Sequence, residues 1–214
     1  MISPPATTEL LGAYGFTCGA SVSTVTADEA KSAAAKLGYP VMPKAMVPNV
    51  AHRSDAGLVT GRISTDAELN RAYGALERRA APMSKGRVDI SVERFLPHDF
   101  EVILGVKYDP TFGPVILCGL GGIFTEVLKD YALRLAPLTR VDAEDMLSSL
   151  RAYPILQKGE TENSRHLAAL TDALLQLSEL AVELDGRISA VDINPIGLST
   201  GLPDIHVLDA KIHI

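Results

Sequence analysis

The chain has 214 residues, of which 47% are hydrophobic and 21% are charged, and its formal net charge at pH 7 is −6. This composition is typical of a globular protein with enough apolar material for one or two compact units. The net negative charge argues against nucleic acid as a partner, and no cluster of Lys and Arg indicates a membrane surface.

The two cysteines and the N-terminal residues are relevant to the cellular compartment of the protein. Cys18 and Cys118 each lie in an apolar stretch, so we predict two buried free thiols rather than a disulfide framework or a zinc site. The chain begins Met1-Ile2-Ser3-Pro4-Pro5, without the basic and apolar regions of a signal peptide, and no apolar run is long enough for a membrane helix. We therefore expect a cytoplasmic location.

Helical periodicity predicts four helices. Thr26 and Thr65 each begin a capping-box pattern, and a further helix follows Asp142. The predicted core stripes are Ala30, Ala33, Ala34 and Leu37; Leu69, Tyr73 and Leu76; Met146, Leu147 and Leu150; and Leu167, Leu170, Leu174, Leu177, Ala181 and Leu184. We assign these stripes to packing and not to function.

Short β-rich runs separate the helices. The predicted strands are Tyr39–Met46, Gly57–Ile63, Val88–Phe95, Glu101–Val106, Val115–Leu117, Ile188–Ile193 and Ile205–Leu208. A turn with Pro97 and Asp99 predicts that the third and fourth of these runs form an antiparallel hairpin. Mixed strand pairing with helices to one side favours an α+β fold over a doubly wound parallel sheet, and a subdomain seam is predicted near Phe95–Asp99.

Lys44 lies within the apolar run Val41–Met46, where a charge is costly unless it is paired. Because Pro43 is typical of an edge strand, Lys44 could simply point to water. Alternatively it could be a cation aimed at a phosphate. The residues alone leave both interpretations open.

The loop Ala51–Gly57 contains His52, Arg53 and Ser54 and precedes a predicted strand. Such a loop can present backbone N–H groups and a hydroxyl to phosphate oxygens, although many polar loops look similar. The later run Gly119-Leu120-Gly121-Gly122 does not have the spacing of a dinucleotide-binding fingerprint. We interpret it as a tight bend or a close backbone approach.

Two further strand-like runs end in oxygen-bearing side chains. Asp192 and Asn194 lie on the first run, and Asp209 follows the second. Hard oxygen ligands suit Mg²⁺, which typically takes one or two carboxylates and completes its shell with water and substrate phosphates. Ordinary turn chemistry is the alternative, since Asn-Pro and Asp favour turns. The other histidines, His98, His166, His206 and His213, share no spacing and are interpreted as structural or solvated.

Taken together, these segments resemble the ATP-grasp domain of NDP-forming acyl-CoA synthetases nearly from end to end. The matching runs are Leu10–Gly15, Leu37–Lys44, His52–Asp55, Gly105–Pro110, Phe112–Val115, Gly119–Phe124, Glu126–Asp130, Arg134–Leu138, Asp192–Pro195 and Leu208–Lys211. The long collinear run from Gly105 to Leu138 is the most specific. The last two runs resemble the metal-binding end of the succinyl-CoA synthetase β subunit.

The resemblance implies an ATP-grasp fold in which two α+β subdomains grip a nucleotide between antiparallel or mixed sheets. The implied parts are a lead-in helix in residues 1–20, a first subdomain in 21–96 and a second in 97–214. The implied cofactors are ATP or ADP and Mg²⁺. The implied complete assembly is a homo- or hetero-oligomer that includes a CoA-binding and phosphohistidine subunit or domain, without which this chain makes no thioester.

The resemblance also implies residue roles. Lys44 contacts the nucleotide phosphates, and Asn194 and Asp209, with Asp192, hold Mg²⁺. The implied phosphate loop includes Ser54 and Gly57, the implied adenine-binding hinge is Glu93, Arg94, Phe95 and Leu96, and Glu101 lies near the ribose or phosphates. His52 matches a histidine that relays the phosphoryl group in some members, so it is either a phosphoryl carrier or a phosphate-binding residue.

Two other functions stay open at this point. Leu58 and Arg94 favour a degenerate, non-catalytic ATP-grasp-like regulatory domain of the kind associated with a protein lysine acetyltransferase. Retention of Lys44, Asn194 and Asp209 favours the enzyme, in which acid, CoA and ATP give acyl-CoA, ADP and phosphate through phosphohistidine and acyl phosphate. A purely structural α+β interaction domain would make the metal-end motif a coincidence.

Overall fold

The fold is seen in a computed structural model, which describes residues 1–47, 50, 53–54, 56–84, 86–122, 129–157, 163–198 and 205–214. The helices are α1 Pro4–Ala13, α2 Ala27–Leu37, α3 Asp66–Ala80, α4 Arg140–Ser148, α5 Tyr153–Leu156 and α6 Asn163–Glu183, with a 3-10 turn at Ala81–Met83. The strands are β1 Ser21–Thr24, β2 Val41–Met46, β3 Asp89–Arg94, β4 Phe100–Asp109, β5 Gly113–Leu120, β6 Tyr131–Leu135, β7 Ala190–Leu198, β8 His206–Val207 and β9 Ala210–His213.

The chain divides into two compact units. The smaller unit is Gly19–Phe95, and the larger unit combines Met1–Cys18 with Leu96–Ile214. Helix α1 therefore belongs to the larger unit, where it contacts β9.

The smaller unit is a three-stranded antiparallel sheet, in the order β1-β3-β2, with α2 and α3 packed against one face. Its core contains the predicted stripes of both helices together with Val41, Ala45, Ile90 and Val92 from the sheet. Because side chains alternate along a strand, the opposite face carries Lys44 and Glu93. One face of this sheet is thus apolar and the other is polar.

Both helices of the smaller unit begin at threonine caps. Thr26 Oγ1 accepts from the N–H of Glu29 at 3.1 Å, and Thr65 Oγ1 accepts from the N–H of Glu68 at 3.3 Å. The glutamates do not complete the predicted capping boxes, since their carboxylates accept from the residues before the threonines, Val25 and Ser64. A complete capping box occurs instead at the start of α4.

The larger unit contains an antiparallel sheet whose described strands run in the order β6-β5-β4-β7-β8, with β9 also paired to β7. Helix α6 packs on β4 and β5, and α4 packs on β6. The predicted stripe of α6 forms the centre of this core, where Leu170, Leu174 and Leu177 are fully buried. The α+β prediction is therefore confirmed.

Two strand predictions were wrong. Val88–Phe95 and Glu101–Val106 do not form a hairpin, because β3 and β4 belong to different sheets. The run Gly57–Ile63 is not a strand of its own; it contributes isolated bridges from Val59 to Lys44 and from Ile63 to Val41. It covers the outer edge of β2, where Thr60 N–H donates to the Pro43 carbonyl at 3.1 Å.

Both cysteines are free thiols, as predicted, but only Cys118 is fully buried, while Cys18 is half-buried. Burial raises the pKa of the Cys118 thiol to about 12. Among the described residues, no helix is both long and apolar enough to cross a membrane.

Candidate functional site

On the polar face of the smaller sheet, Lys44 is 6% exposed. It lies opposite Ser91, and its Nζ is 2.6 Å from Oε2 of Glu93, two residues further along β3. Ser91 donates from Oγ to the other carboxylate oxygen of Glu93 at 3.3 Å. A charge at this depth requires a partner, and Glu93 supplies one. Lys44 is therefore not an edge-strand lysine that points to water.

In the loop that was predicted to bind phosphate, two backbone hydrogen bonds join the described residues to one another and to Leu58. Gly57 N–H donates to the Ser54 carbonyl and Leu58 N–H to the Arg53 carbonyl, both at 2.9 Å. Arg79, on α3, donates to the Gly57 carbonyl at 3.2 Å. Gly57 has φ +65°, a conformation that favours glycine. Ser54 is exposed, and His52 lies outside the described residues.

Two contacts hold the segment that was predicted to contact adenine: a backbone hydrogen bond from Phe95 and a contact of Leu96 with His98. Phe95 N–H donates to the Pro40 carbonyl at 3.0 Å within the smaller unit. In the larger unit, the Leu96 carbonyl lies 3.0 Å from Nδ1 of His98. The Glu93 side chain is the partner of Lys44, as described above.

Glu101 is held from two sides. Its Oε1 is 2.9 Å from Nε2 of His98, and its backbone carbonyl accepts from Gly121 N–H at 2.7 Å. A Cβ on Gly121 would lie 2.8 Å from Cβ of Glu101, so only glycine fits there. The run Gly119–Gly122 thus makes a close backbone approach, which was one of its two predicted interpretations.

The hydrogen bond to Glu101 raises the pKa of His98 above its ordinary value, and the Leu96 carbonyl acts in the same direction, while burial opposes both. A carbonyl can only accept, so Nδ1 carries a proton when it bonds Leu96. A proton on Nε2 as well makes the ring an imidazolium that donates to both neighbours.

Two of the predicted metal-binding residues, Asn194 and Asp209, are backbone neighbours beside a bulge in the larger sheet. The β4–β7 register shifts between Val102 and Leu104, where two residues of β7, Asn194 and Pro195, stand against the single residue Ile103 of β4. Asn194 N–H donates to the Asp209 carbonyl at 2.9 Å, so these two residues lie side by side. Asp192 and Asn194 are both exposed.

These residues supply oxygen donors of the kind that Mg²⁺ accepts. Among the described residues, no three His, Cys, Asp or Glu side chains are grouped closely enough to hold a metal ion. Mg²⁺ commonly takes only one or two carboxylates and fills its shell with water and phosphate oxygens. The Asp and Asn donors around the bulge fit such a partly protein-bound ion.

Sequence reasoning overlooked two residues that contact the predicted site. His98 was interpreted as structural or solvated, yet it contacts Leu96 and Glu101. Its position in the sequence, between Leu96 and Glu101, was the signal that could have identified it. Arg79 was not considered, and no local signal could have found it, because its partner Gly57 is 22 residues away.

Comparison with known proteins gives the family. The ATP-grasp domain family matches residues 1–214. The chain is 38% identical to the β subunit of ADP-forming acetate–CoA ligase I of Pyrococcus furiosus over 195 residues, which is 90% of this chain and 83% of that subunit. It is 36% identical to the β subunit of isoenzyme II of the same organism, over 95% of this chain and 87% of that subunit.

Solved structures of acetyl-coenzyme A synthetases superpose on this chain. The dinucleotide-forming acetyl-coenzyme A synthetase 1 of Candidatus Korarchaeum cryptofilum, in complex with coenzyme A, Ca-AMPCP and HgCl⁺, superposes with a TM-score of 0.88 at 30% identity, covering 97% of this chain and 90% of that chain. A complex of the same enzyme with coenzyme A and Mg-AMPPCP gives a TM-score of 0.81 at 30% identity, with 100% and 92% covered. Its phosphohistidine segment is described as pointing towards the nucleotide binding site.

The chain therefore belongs to the ATP-grasp domains of the NDP-forming acyl-CoA synthetases, as the β-subunit-type module of an acid–thiol ligase. Relatives named as β subunits imply a partner subunit or domain of the synthetase.

Proposed function

We propose that this chain binds ATP and ADP together with Mg²⁺ and provides the nucleotide end of ADP-forming acyl-CoA synthesis. The proposed overall reaction converts acid, CoA and ATP into acyl-CoA, ADP and phosphate. The γ-phosphoryl group passes from ATP to a histidine, with ADP as the leaving group. It then moves to a carboxylate oxygen of the acid, and departs as phosphate when the CoA thiol attacks the acyl phosphate. The histidine and the CoA site of this scheme belong to a partner subunit or domain.

The position of Lys44 is the main support for this proposal. A lysine held at 2.6 Å from a carboxylate on the polar face of a sheet is already desolvated and positioned. Phosphoryl transfer depends mainly on positioning and charge neutralisation, and a fixed cation supplies both. We assign Lys44 to the nucleotide phosphates, where its ammonium offsets the charge that develops during transfer.

The remaining roles follow the chemistry of each group. Asn194 and Asp209, with Asp192, would hold Mg²⁺, which supplies charge neutralisation to the phosphate oxygens when bound. The backbone of Glu93, Phe95 and Leu96 would contact adenine.

Glu101 would accept from the ribose hydroxyls, because a carboxylate is an acceptor-only group. Ser54 and Gly57 would line the phosphates. His52 would either relay the phosphoryl group as a second carrier, in addition to the histidine of the partner, or bind phosphate.

The role of Lys44 is tested by nucleotide-induced stabilisation. We expect saturating ATP with Mg²⁺ to raise the melting temperature of the wild-type chain, because a ligand that binds only the folded state stabilises it. In Lys44→Ala the increase should disappear or require at least about tenfold more ATP, since a charge-assisted hydrogen bond contributes about 1.5–3 kcal/mol. Lys36→Ala, at an exposed lysine on α2, is the matched control and should respond like the wild type.

An equal ATP response in Lys44→Ala and Lys36→Ala would reject the assignment of Lys44 to the phosphates. No response in the folded wild-type chain would contradict the proposed function.

A further inference from the structure

His98 is placed where two predicted nucleotide contacts meet. Its Nδ1 lies 3.0 Å from the Leu96 carbonyl, and its Nε2 lies 2.9 Å from the Glu101 carboxylate. All three residues belong to the larger unit. One imidazole ring therefore joins a backbone group of the predicted adenine segment to the carboxylate assigned to the ribose.

Strand β7 leaves space for the ring of His98. A Cβ on Gly197, in β7, would lie 3.1 Å from Cβ and 3.2 Å from Cγ of His98, so the ring rests on bare backbone. The segment is also tied to β7 by the Asp99 N–H, which donates to the Leu198 carbonyl at 2.7 Å. These contacts fix the ring and leave both nitrogens aimed at their acceptors.

The charged neighbours of His98 among the described residues are few. Glu101 and Asp99 are the carboxylates that act on it, and the bond to Glu101 is the largest influence. On β8, His206 lies opposite Gly197 in the strand register. Leu208, which also lies against Gly197, is apolar.

We propose that His98 is a positioning residue that holds the Glu101 carboxylate and the Leu96 carbonyl in the arrangement that receives the nucleotide. This inference rests on the proposed function, since it assumes that Glu101 and Leu96 face the ribose and adenine. His98 itself does not touch the reacting phosphates in this account.

The protonation state of His98 decides whether both acceptors are held. The imidazolium donates to Leu96 and to Glu101 at once. When the ring loses one proton, only one of its nitrogens can still donate, so either the Leu96 carbonyl or the Glu101 carboxylate is released. We therefore expect nucleotide affinity to be highest when His98 is protonated and to fall as pH rises through its pKa.

The sign of the pH effect follows from the direction of the pKa shift. The folded-state pKa of His98 lies above its ordinary value, which is about 6.5. The stabilising interaction is fully present below that ordinary value and is lost as pH rises through the higher, folded-state pKa. The fall in affinity is thus predicted on the alkaline side of about pH 6.5.

The first measurement does not depend on nucleotide. Histidine resonances of the complete chain are titrated by NMR in wild type and in Glu101→Gln, with a His98→Gln spectrum to assign the signal. We expect Glu101→Gln to lower the pKa of His98, and the signal of His213, an exposed histidine on β9, serves as the internal reference. An unchanged His98 pKa would overturn the inference.

The second measurement is the dissociation constant of ADP with Mg²⁺ as a function of pH, by calorimetry. The phosphates of ADP titrate as well, so the readout is the difference between wild type and His98→Gln. We expect the wild type to lose about three- to tenfold more affinity than His98→Gln above the His98 pKa. His213→Gln, at an exposed histidine on β9, should follow the wild-type profile.

Parallel profiles in wild type and His98→Gln would overturn the positioning role. Absence of ADP binding at every pH in folded wild-type protein would overturn the proposed function and this role with it. The NMR titration would then still decide whether His98 and Glu101 form the pair, so the two failures are distinguishable.

Discussion

The environment of Lys44 depends on contacts with residues that are distant in the sequence. From the sequence, Lys44 had two open interpretations, because Pro43 suggested an edge strand facing water. Strand β2 does lie at one edge of its sheet, but the run after Gly57 covers that edge. The contact that covers it joins residues 44 and 59 and has no local sequence signature, so only the folded chain could decide between the two interpretations.

Arg79 provides a residue-scale prediction for the backbone at Gly57, which is proposed to line the phosphates. It donates to the Gly57 carbonyl at 3.2 Å, so Arg79→Ala should loosen the backbone there. We expect the ATP dissociation constant in the presence of Mg²⁺ to rise about three- to fivefold, since one such bond contributes about 1 kcal/mol. Calorimetry on the purified variants measures this.

Arg78→Ala is the matched control. It removes the same charge from the neighbouring position, but its guanidinium lies against Gly74 on its own helix. Its ATP affinity should stay within about twofold of the wild-type value. Equal losses in the two variants would mean that charge, and not the contact with Gly57, causes the effect.

At the scale of elements, amphipathic helices were predicted well because their signal is local. The stripe from Leu167 to Leu184 gave the core face of α6 correctly, because residues three and four apart share one side of a helix. Strand pairing was predicted less well. The hairpin assigned to Val88–Phe95 and Glu101–Val106 does not form, since each run pairs with strands elsewhere in the chain.

Helix α6 provides the element-scale prediction. Leu174 is 0% exposed at the centre of the larger core, whereas Val182, on the same helix, is 44% exposed. Leu174→Ala should lower the free energy of unfolding by about 2–5 kcal/mol, because it removes buried contacts and leaves a cavity. Val182→Ala should change it by no more than about 0.5 kcal/mol.

Urea denaturation followed by circular dichroism measures both free energies, with the slope of the transition checked for constancy. Similar losses in the two variants would contradict the assignment of Leu174 to the centre of the core.

At the scale of the whole molecule, the family and the α+β class were accessible from sequence because many weak motifs occur in the right order. Individually, Lys44, the glycine run and the Asp-Asn pair were ambiguous. The residues of the site could be predicted from the sequence only in part. His98 escaped notice because no shared spacing with other histidines marked it, although it contacts Leu96 and Glu101 in the folded chain.

The central claim is a magnesium-dependent ATP site on this chain. The most direct test is a calorimetric titration of the purified chain with ATP, once with excess Mg²⁺ and once with a chelator. The account predicts saturable binding with Mg²⁺ and at least about tenfold weaker binding without it, because Asn194 and Asp209 would hold the metal against the phosphates. A folded chain that binds no ATP, or binds it equally well with the chelator, would contradict the account.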